Sequence, residues 1–80
     1  MNEFVRSPRH EGMVLNRNKY GYTLFFGEII ASDAPYERLK VDNVYKMGFI
    51  EMLKEWAPYV ESEDKVKLEQ WIAEVEELEE

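Results

Sequence analysis

Hydrophobic and polar positions alternate in the first half of the chain. In residues 20–26 (YGYTLFF) every second position carries a tyrosine, leucine or phenylalanine, and this period of two is typical of a β-strand. Gly27 interrupts the pattern where a bulge is expected, and residues 28–31 continue it. A second apolar run at 13–15 is joined to the first by the turn-forming residues 16–19, so the pattern predicts a β-hairpin.

The next segment has a weaker pattern. Residues 32–35 (SDAP) predict a turn, or the cap of a short helix with Pro35 near its first position. Residues 36–41 (YERLKV) alternate in a way that slightly favours a third strand over a helix. Asp42 or Asn43 is then expected to cap the helix that follows.

Two helices are predicted in the second half, where apolar residues recur at helical spacing. The first covers about 43–57 and ends before Pro58, because proline disfavours helix at the preceding residue. Lys46 falls inside its apolar stripe, so its stem is expected to cross the stripe to reach solvent. The second helix is predicted to start with Ser62 as its N-cap. The short connection at 58–61 predicts that the two helices pack as an antiparallel hairpin.

These elements predict an α+β fold, with a small antiparallel sheet of two or three strands followed by two antiparallel helices. Residues 1–12 are polar, contain Pro8 and end in Gly12, so we expect a flexible N-terminal arm. Residues 13–80 then form a single α+β domain. With 45% hydrophobic residues, the chain has enough apolar material for a core of its own.

Acidic charge is concentrated near the C-terminus. The formal net charge is -7, and residues 51–80 hold eleven acidic side chains against three lysines. Such acidity disfavours direct binding to DNA or to anionic membranes. No apolar run is long enough for a signal peptide or a membrane span, and cysteine is absent. A cytoplasmic location is therefore expected.

Nothing in the sequence points to catalysis. His10 is the only histidine and lies in the predicted arm, where a solvated side chain is expected. The sequence contains no calcium-loop pattern, phosphate-binding glycine loop or nucleophile elbow. We therefore expect a protein that is not an enzyme and that needs no cofactor or metal.

The carboxylates of the second helix are the candidate binding residues. Helical spacing displays several of them in outward rows, with neighbours about 5–6 Å apart, a spacing similar in order to that of phosphates along DNA. Four glutamates also crowd the helix C-terminus, where the helix dipole disfavours negative charge. The candidate partner-binding residues are Glu63, Asp64, Glu69, Glu74, Glu76, Glu77 and Glu80. A solvated helix face with a frayed acidic tail is the simpler interpretation, and capping explains Glu63 and Asp64.

In size, charge, lack of cysteine and acidic helices beside a small sheet, the chain resembles small acidic phage-type proteins that mimic DNA. This resemblance implies inhibition of a basic host nucleic-acid-binding protein, such as a histone-like nucleoid protein, by occupation of its DNA site. The location would then be the host cytoplasm. The basic residues of the chain depart from the uniformly acidic surface of such mimics; they include Arg6, Arg9, Arg17, Lys19, Arg38 and Lys40.

Two other functions stay open. An antitoxin-like or adaptor module would bind through an apolar or aromatic face. A nucleic-acid-binding protein would use the basic arm together with hairpin aromatics, although these residues are better explained as a sheet face packed on the helices. Val44 and Met47 fall outside the apolar stripe, and aromatic residues face both sides of the hairpin. A homodimer is therefore the expected assembly.

Overall fold

A four-stranded antiparallel sheet is followed by three helices in the computed structural model, which describes residues 3–79. The strands are β1 (Glu3–Arg6), β2 (Met13–Asn18), β3 (Gly21–Phe26) and β4 (Ile29–Pro35), in the order β1-β2-β3-β4. The helices are α1 (Tyr36–Val41), α2 (Asn43–Trp56) and α3 (Ser62–Glu76), with a 3₁₀ turn at Ala57–Tyr59. The α+β class with an antiparallel sheet before the helices is thus confirmed.

The sheet has more strands than the sequence predicts. Residues 3–6 of the predicted flexible arm form β1, which pairs with β2, and Val5 is only 1% exposed. The prediction of an arm is therefore wrong for these four residues, because one buried valine in a short polar segment is too weak a signal to reveal a strand. Residues 1 and 2 of the predicted arm lie outside the described residues.

Gly27 lies in the turn after β3 and does not form a bulge within a strand. Its φ of 64° lies in the left-handed region that glycine enters easily, and it begins a two-residue turn between β3 and β4. The irregularity in the ladder lies opposite Leu24 and Phe25, where Ala31 is the extra residue of β4. Residues 32–35, predicted as a turn or cap, complete β4. Residues 16–18, predicted as a turn, belong to β2.

Residues 36–41 form helix α1, so the preference for a third strand there is wrong. Pro35 occupies its N-cap position with φ -68° and ψ 148°, and Leu39 is completely buried. Burial of Leu39 favours the helix more strongly than the alternation of apolar and polar residues favours a strand. The next cap is as expected, because the Asp42 side chain accepts a hydrogen bond from the backbone of Tyr45 and starts α2.

Helix α3 starts one residue earlier than its predicted cap implies. Glu61 occupies the N-cap position and its carbonyl accepts from the backbone N–H of Lys65, so Ser62 is the first helical residue rather than the cap. Helix α2 ends at Trp56, one residue before the predicted end, and Pro58 lies in the 3₁₀ turn that follows. Ala57 keeps helical angles, with φ -51° and ψ -42°, although it precedes proline. The two helices pack on each other, and Lys46 near the start of α2 contacts the end of α3.

The core lies between one face of the sheet and the helices. Tyr22 is at its centre, with its ring 4.9 Å from that of Phe49, 5.5 Å from that of Trp71 and 5.8 Å from that of Tyr36. The side chains that are less than 2% exposed include Val5, Leu15, Leu39, Leu53, Leu68, Trp71 and Val75. Since side chains alternate across a strand, the opposite face of the sheet is left without a covering layer in residues 3–79.

Candidate partner-binding surface

Helix α3 presents most of the predicted acidic residues to solvent because its other side is fixed in the core. Leu68, Trp71 and Val75 are buried at helical spacing, and this stripe turns the remaining positions outward. Glu63, Asp64, Glu69, Glu74 and Glu76 lie within the helix, and Glu77 is its C-cap. Glu80 lies outside the described residues.

Glu74 is part of the internal structure of the protein. Its carboxylate accepts from Arg17 on β2, with Nε at 2.8 Å and Nη2 at 2.6 Å, and only about 28% of the side chain is exposed. Arg17 also contacts Glu3, whose carboxylate accepts from the indole N–H of Trp71. The hydrogen bond to Glu74 is the main reason that the pKa of Arg17 is raised. Glu74 therefore ties α3 to the sheet, and its carboxylate is not free for a partner.

Two further carboxylates have loose intramolecular partners. Asp64 lies 3.8 Å from Lys67 one turn later, and Glu76 lies 4.0 Å from Lys54 on α2. At these distances and exposures the ion pairs contribute little to stability. They reduce the negative potential locally, so these two positions are weaker contact candidates than the sequence pattern predicts.

Three of the predicted carboxylates are exposed and unpaired within residues 3–79: Glu63, Glu69 and Glu77. At a rise of 1.5 Å per residue, they are spaced about 9 Å and about 12 Å apart along the helix axis. The exposed residues between them include Val66, Gln70 and Ala73. The free carboxylates are thus sparser than the continuous rows that helical spacing alone predicts.

The C-terminus of α3 has a cationic partner that comes from α2. The ammonium group of Lys46 donates to the carbonyl of Glu76 at 3.2 Å and to that of Leu78 at 2.7 Å. These carbonyls belong to the end of the helix that carries partial negative charge. Lys46 therefore offsets part of the cost of the glutamates there. Its ammonium group, expected to reach solvent, binds the end of α3.

Charge is divided between the two halves of the fold. Residues 3–35, which form the sheet and its turns, carry four acidic and four basic side chains. Residues 36–79, which form the helices, carry twelve acidic and six basic side chains. The negative charge is therefore carried by the helical half, while the sheet half is neutral.

An apolar groove lies where α2 meets the edge of the sheet. It is lined by Leu15, Tyr22, Leu24, Ser32, Ala34, Val44, Tyr45, Gly48, Phe49 and Met52 and encloses about 370 Å³. Val44, at its rim, is 82% exposed. The position of Val44 outside the helical stripe was the sequence signal for this groove. The part of its wall that Ser32 and Ala34 form was predicted as a turn or cap and lies in β4.

The aromatic side chains of the hairpin, which the nucleic-acid-binding alternative would use, do not share one exposed surface. Tyr22 is buried in the core, whereas Tyr20 lies exposed in the β2–β3 turn. Phe25 and Phe26 point to opposite faces of the sheet, as neighbours on a strand must. Packing of one sheet face on the helices thus accounts for Tyr22, in agreement with the simpler interpretation.

His10 is exposed in the β1–β2 connection, where its backbone N–H donates to the hydroxyl of Ser7. Within residues 3–79 no cluster of histidine and acidic side chains is arranged to hold a metal ion. In the same range no helix has the length and apolar content that crossing a membrane requires.

Comparisons with protein-family models, with characterised proteins and with solved structures give no match.

Proposed function

We propose that this protein is a small acidic interaction protein that binds a basic nucleic-acid-binding protein through the outer surface of α3. The observation that carries this proposal is the set of exposed, unpaired carboxylates of Glu63, Glu69 and Glu77 on one rigid helix. The rest of the helical half adds to the negative potential around them. A partner that normally binds phosphates would be attracted to this surface.

In this proposal the protein acts as a DNA mimic. Lysine and arginine side chains of the partner would contact the carboxylates in place of phosphates, so the partner could not bind DNA at the same time. Association would be steered by long-range attraction and would weaken as salt screens the charges. The free carboxylates are about 9 Å and about 12 Å apart along the helix axis and differ in direction around it. This separation favours contact with separated basic side chains over a continuous copy of a phosphate backbone.

Displacement of DNA tests this proposal directly. A purified histone-like nucleoid protein is bound to a fluorescently labelled DNA duplex, and the release of the duplex on adding this protein is followed by fluorescence anisotropy. We expect release at low salt and a strong loss of inhibition at high salt. The variant E69K/E77K is expected to lose inhibition, because it reverses two of the free carboxylates.

The control variant E11K/E37K changes the net charge equally but alters the β1–β2 connection and α1. It is expected to retain most of the inhibition. Equal loss in both variants would mean that only total charge matters, and this would contradict a specific α3 surface. Failure of the unmodified protein to release DNA from nucleoid proteins would contradict the DNA-mimic function.

A second candidate function, an antitoxin-like or adaptor module, is favoured by the groove beside Val44 and Met52. A partner's apolar side chain would fill the groove, and such binding would depend weakly on salt. V44D would then abolish partner binding while E69K/E77K would not. The opposite pattern of sensitivities is expected if α3 is the contact surface.

A further inference from the structure

The uncovered face of the sheet carries an apolar patch at one end. Register places Arg6, Val14, Phe25 and Ile30 in one row across the four strands, and Phe4 precedes Arg6 on the same face of β1. Phe4 is 52% exposed and Ile30 is 57% exposed. We refer to Phe4, Val14, Phe25 and Ile30 as the sheet patch. Exposed apolar residues that are contiguous in this way commonly mark an interaction surface.

The other half of the same face is polar and makes its own hydrogen bonds. Asn18 donates to Asn16 at 3.0 Å, and Thr23 donates to Asp33 at 3.0 Å. Asn16 in turn donates to the carbonyl of Glu3. These side chains are satisfied within the sheet, so they bound the sheet patch along β2, β3 and β4. On β1 the patch extends further, because Phe4 pairs with Asn16.

Two opposite charges flank the sheet patch. Arg6 and Glu28 line the same depression as Phe4, Val14 and Phe25. Within residues 3–79 neither of them has an ion-pair partner within 4 Å. Arg6 ends β1 at one edge of the sheet, and Glu28 precedes β4 at the opposite edge but at the same end of the strands. The patch therefore has a positive side and a negative side.

We propose that a second copy of this chain covers the sheet patch, so that two sheets pack face to face in a symmetric dimer. A two-fold axis that runs along the strands between the sheets places β1 of each copy over β4 of the other. Arg6 of each copy then faces Glu28 of the other, and the two pairs form reciprocally, as a two-fold interface requires. The patch residues fill the space between the charge pairs, at the separation of about 10 Å usual for packed sheets.

The distribution of charge supports a second copy as the occupant. The sheet half is neutral, so two sheet faces meet without net repulsion. The acidic helices lie on the two outer sides of the dimer, where their mutual repulsion is weak because of distance and salt screening. This interface leaves α3 exposed in both copies, so it is independent of the proposed contact with a basic partner.

Charge exchange across the interface provides the test, which uses the protein alone. Sedimentation equilibrium over a range of concentrations is expected to show a reversible monomer–dimer equilibrium. R6E and E28R each place like charges opposite one another and should weaken dimerisation about tenfold or more. The double variant R6E/E28R restores opposite charges in both pairs and should recover dimerisation.

V66E on the outer side of α3 is the matched control and should dimerise as the unmodified protein does. F4S should weaken dimerisation without charge reversal, and circular dichroism shows whether each variant is folded. A protein that stays monomeric at every concentration would overturn the proposal. A dimer that tolerates R6E and E28R, or a double variant that fails to recover, would place the interface elsewhere.

Discussion

At the scale of single residues, the contact between Arg17 and Glu74 joins two parts of the chain that are 57 positions apart. Both side chains are less than one third exposed, so removal of one charge leaves the other poorly solvated. We expect E74Q to lower the free energy of unfolding by about 1.5–3 kcal/mol, the range for hydrogen bonds to charged groups. Urea denaturation measures this change.

The matched variant E69Q removes a carboxylate from the same helix at an exposed position with no ion-pair partner in residues 3–79. We expect it to change the free energy of unfolding by less than about 0.5 kcal/mol. Equal effects of E74Q and E69Q would contradict the structural role assigned to Glu74.

Tyr22 and Tyr36 make stability sensitive to high pH. Burial is the main cause that raises the pKa of Tyr36 to about 12 and that of Tyr22 further still. Both hydroxyls therefore keep their protons in the folded protein at pH values where the unfolded chain, with a pKa of about 10, loses them. Their contribution to stability is complete below about pH 10 and is lost as pH rises toward the folded pKa.

Unfolding in urea from about pH 9 to about pH 12 checks this dependence. We expect Y36F to show a smaller alkaline fall in the free energy of unfolding than the unmodified protein. Y20F, at an exposed turn position, should retain the full fall. A fall in Y36F as steep as in the unmodified protein would contradict the role of this hydroxyl.

At the scale of elements, the start of β3 at Gly21 meets the start of α1. Its φ is 141°, and a Cβ there would lie 2.7 Å from Pro35 Cα and 2.8 Å from Tyr36 N, closer than van der Waals contact. Because backbone atoms surround the position, they cannot move aside as a flexible side chain would. We expect G21A to lower the free energy of unfolding by about 2–4 kcal/mol.

Gly48 in α2 is the matched position, because a Cβ there meets no atom within 4 Å among the described residues. G48A should raise the free energy of unfolding by about 0.5–1 kcal/mol, the difference in helix propensity between the two residues. Thermal denaturation of both variants gives the comparison. Similar changes in G21A and G48A would contradict the tight approach at Gly21.

The two long helices were predictable because their apolar stripes each span four turns. Strand β1 was not, since four residues with one buried valine do not establish a period. Helix α1 was missed because its six residues fit a period of two slightly better than a helical period, and burial of Leu39 in the core decides for the helix. The acidic face was predictable from spacing, but its reduction to three free carboxylates depends on Arg17, Lys54 and Lys67, two of which lie on other elements.

At the scale of the whole molecule, the acidic charge of the helical half opposes folding where it would favour the proposed contact with a basic partner. Glu77 illustrates it, since it lies at the C-terminus of α3, where the helix dipole disfavours a carboxylate. Lys46 relieves part of this cost by donating to the neighbouring carbonyls. The carboxylate of Glu77 itself remains exposed and unpaired within the described residues, as a binding surface requires.

Charge reversal at the two ends of α3 separates the effect of the helix dipole on stability from the effect of net charge. E77K and E61K change the total charge equally, but Glu77 is at the C-terminus and Glu61 at the N-cap. We expect E77K to raise the free energy of unfolding by about 0.3–1 kcal/mol and E61K to lower it by a similar amount. If α3 is the contact surface, E77K should also bind the basic partner more weakly, so that stability and binding change in opposite directions. Unfolding in urea and DNA displacement, measured on the same preparations, test both effects. If E77K is more stable but binds the basic partner as strongly as the unmodified protein, Glu77 belongs to a solvated face.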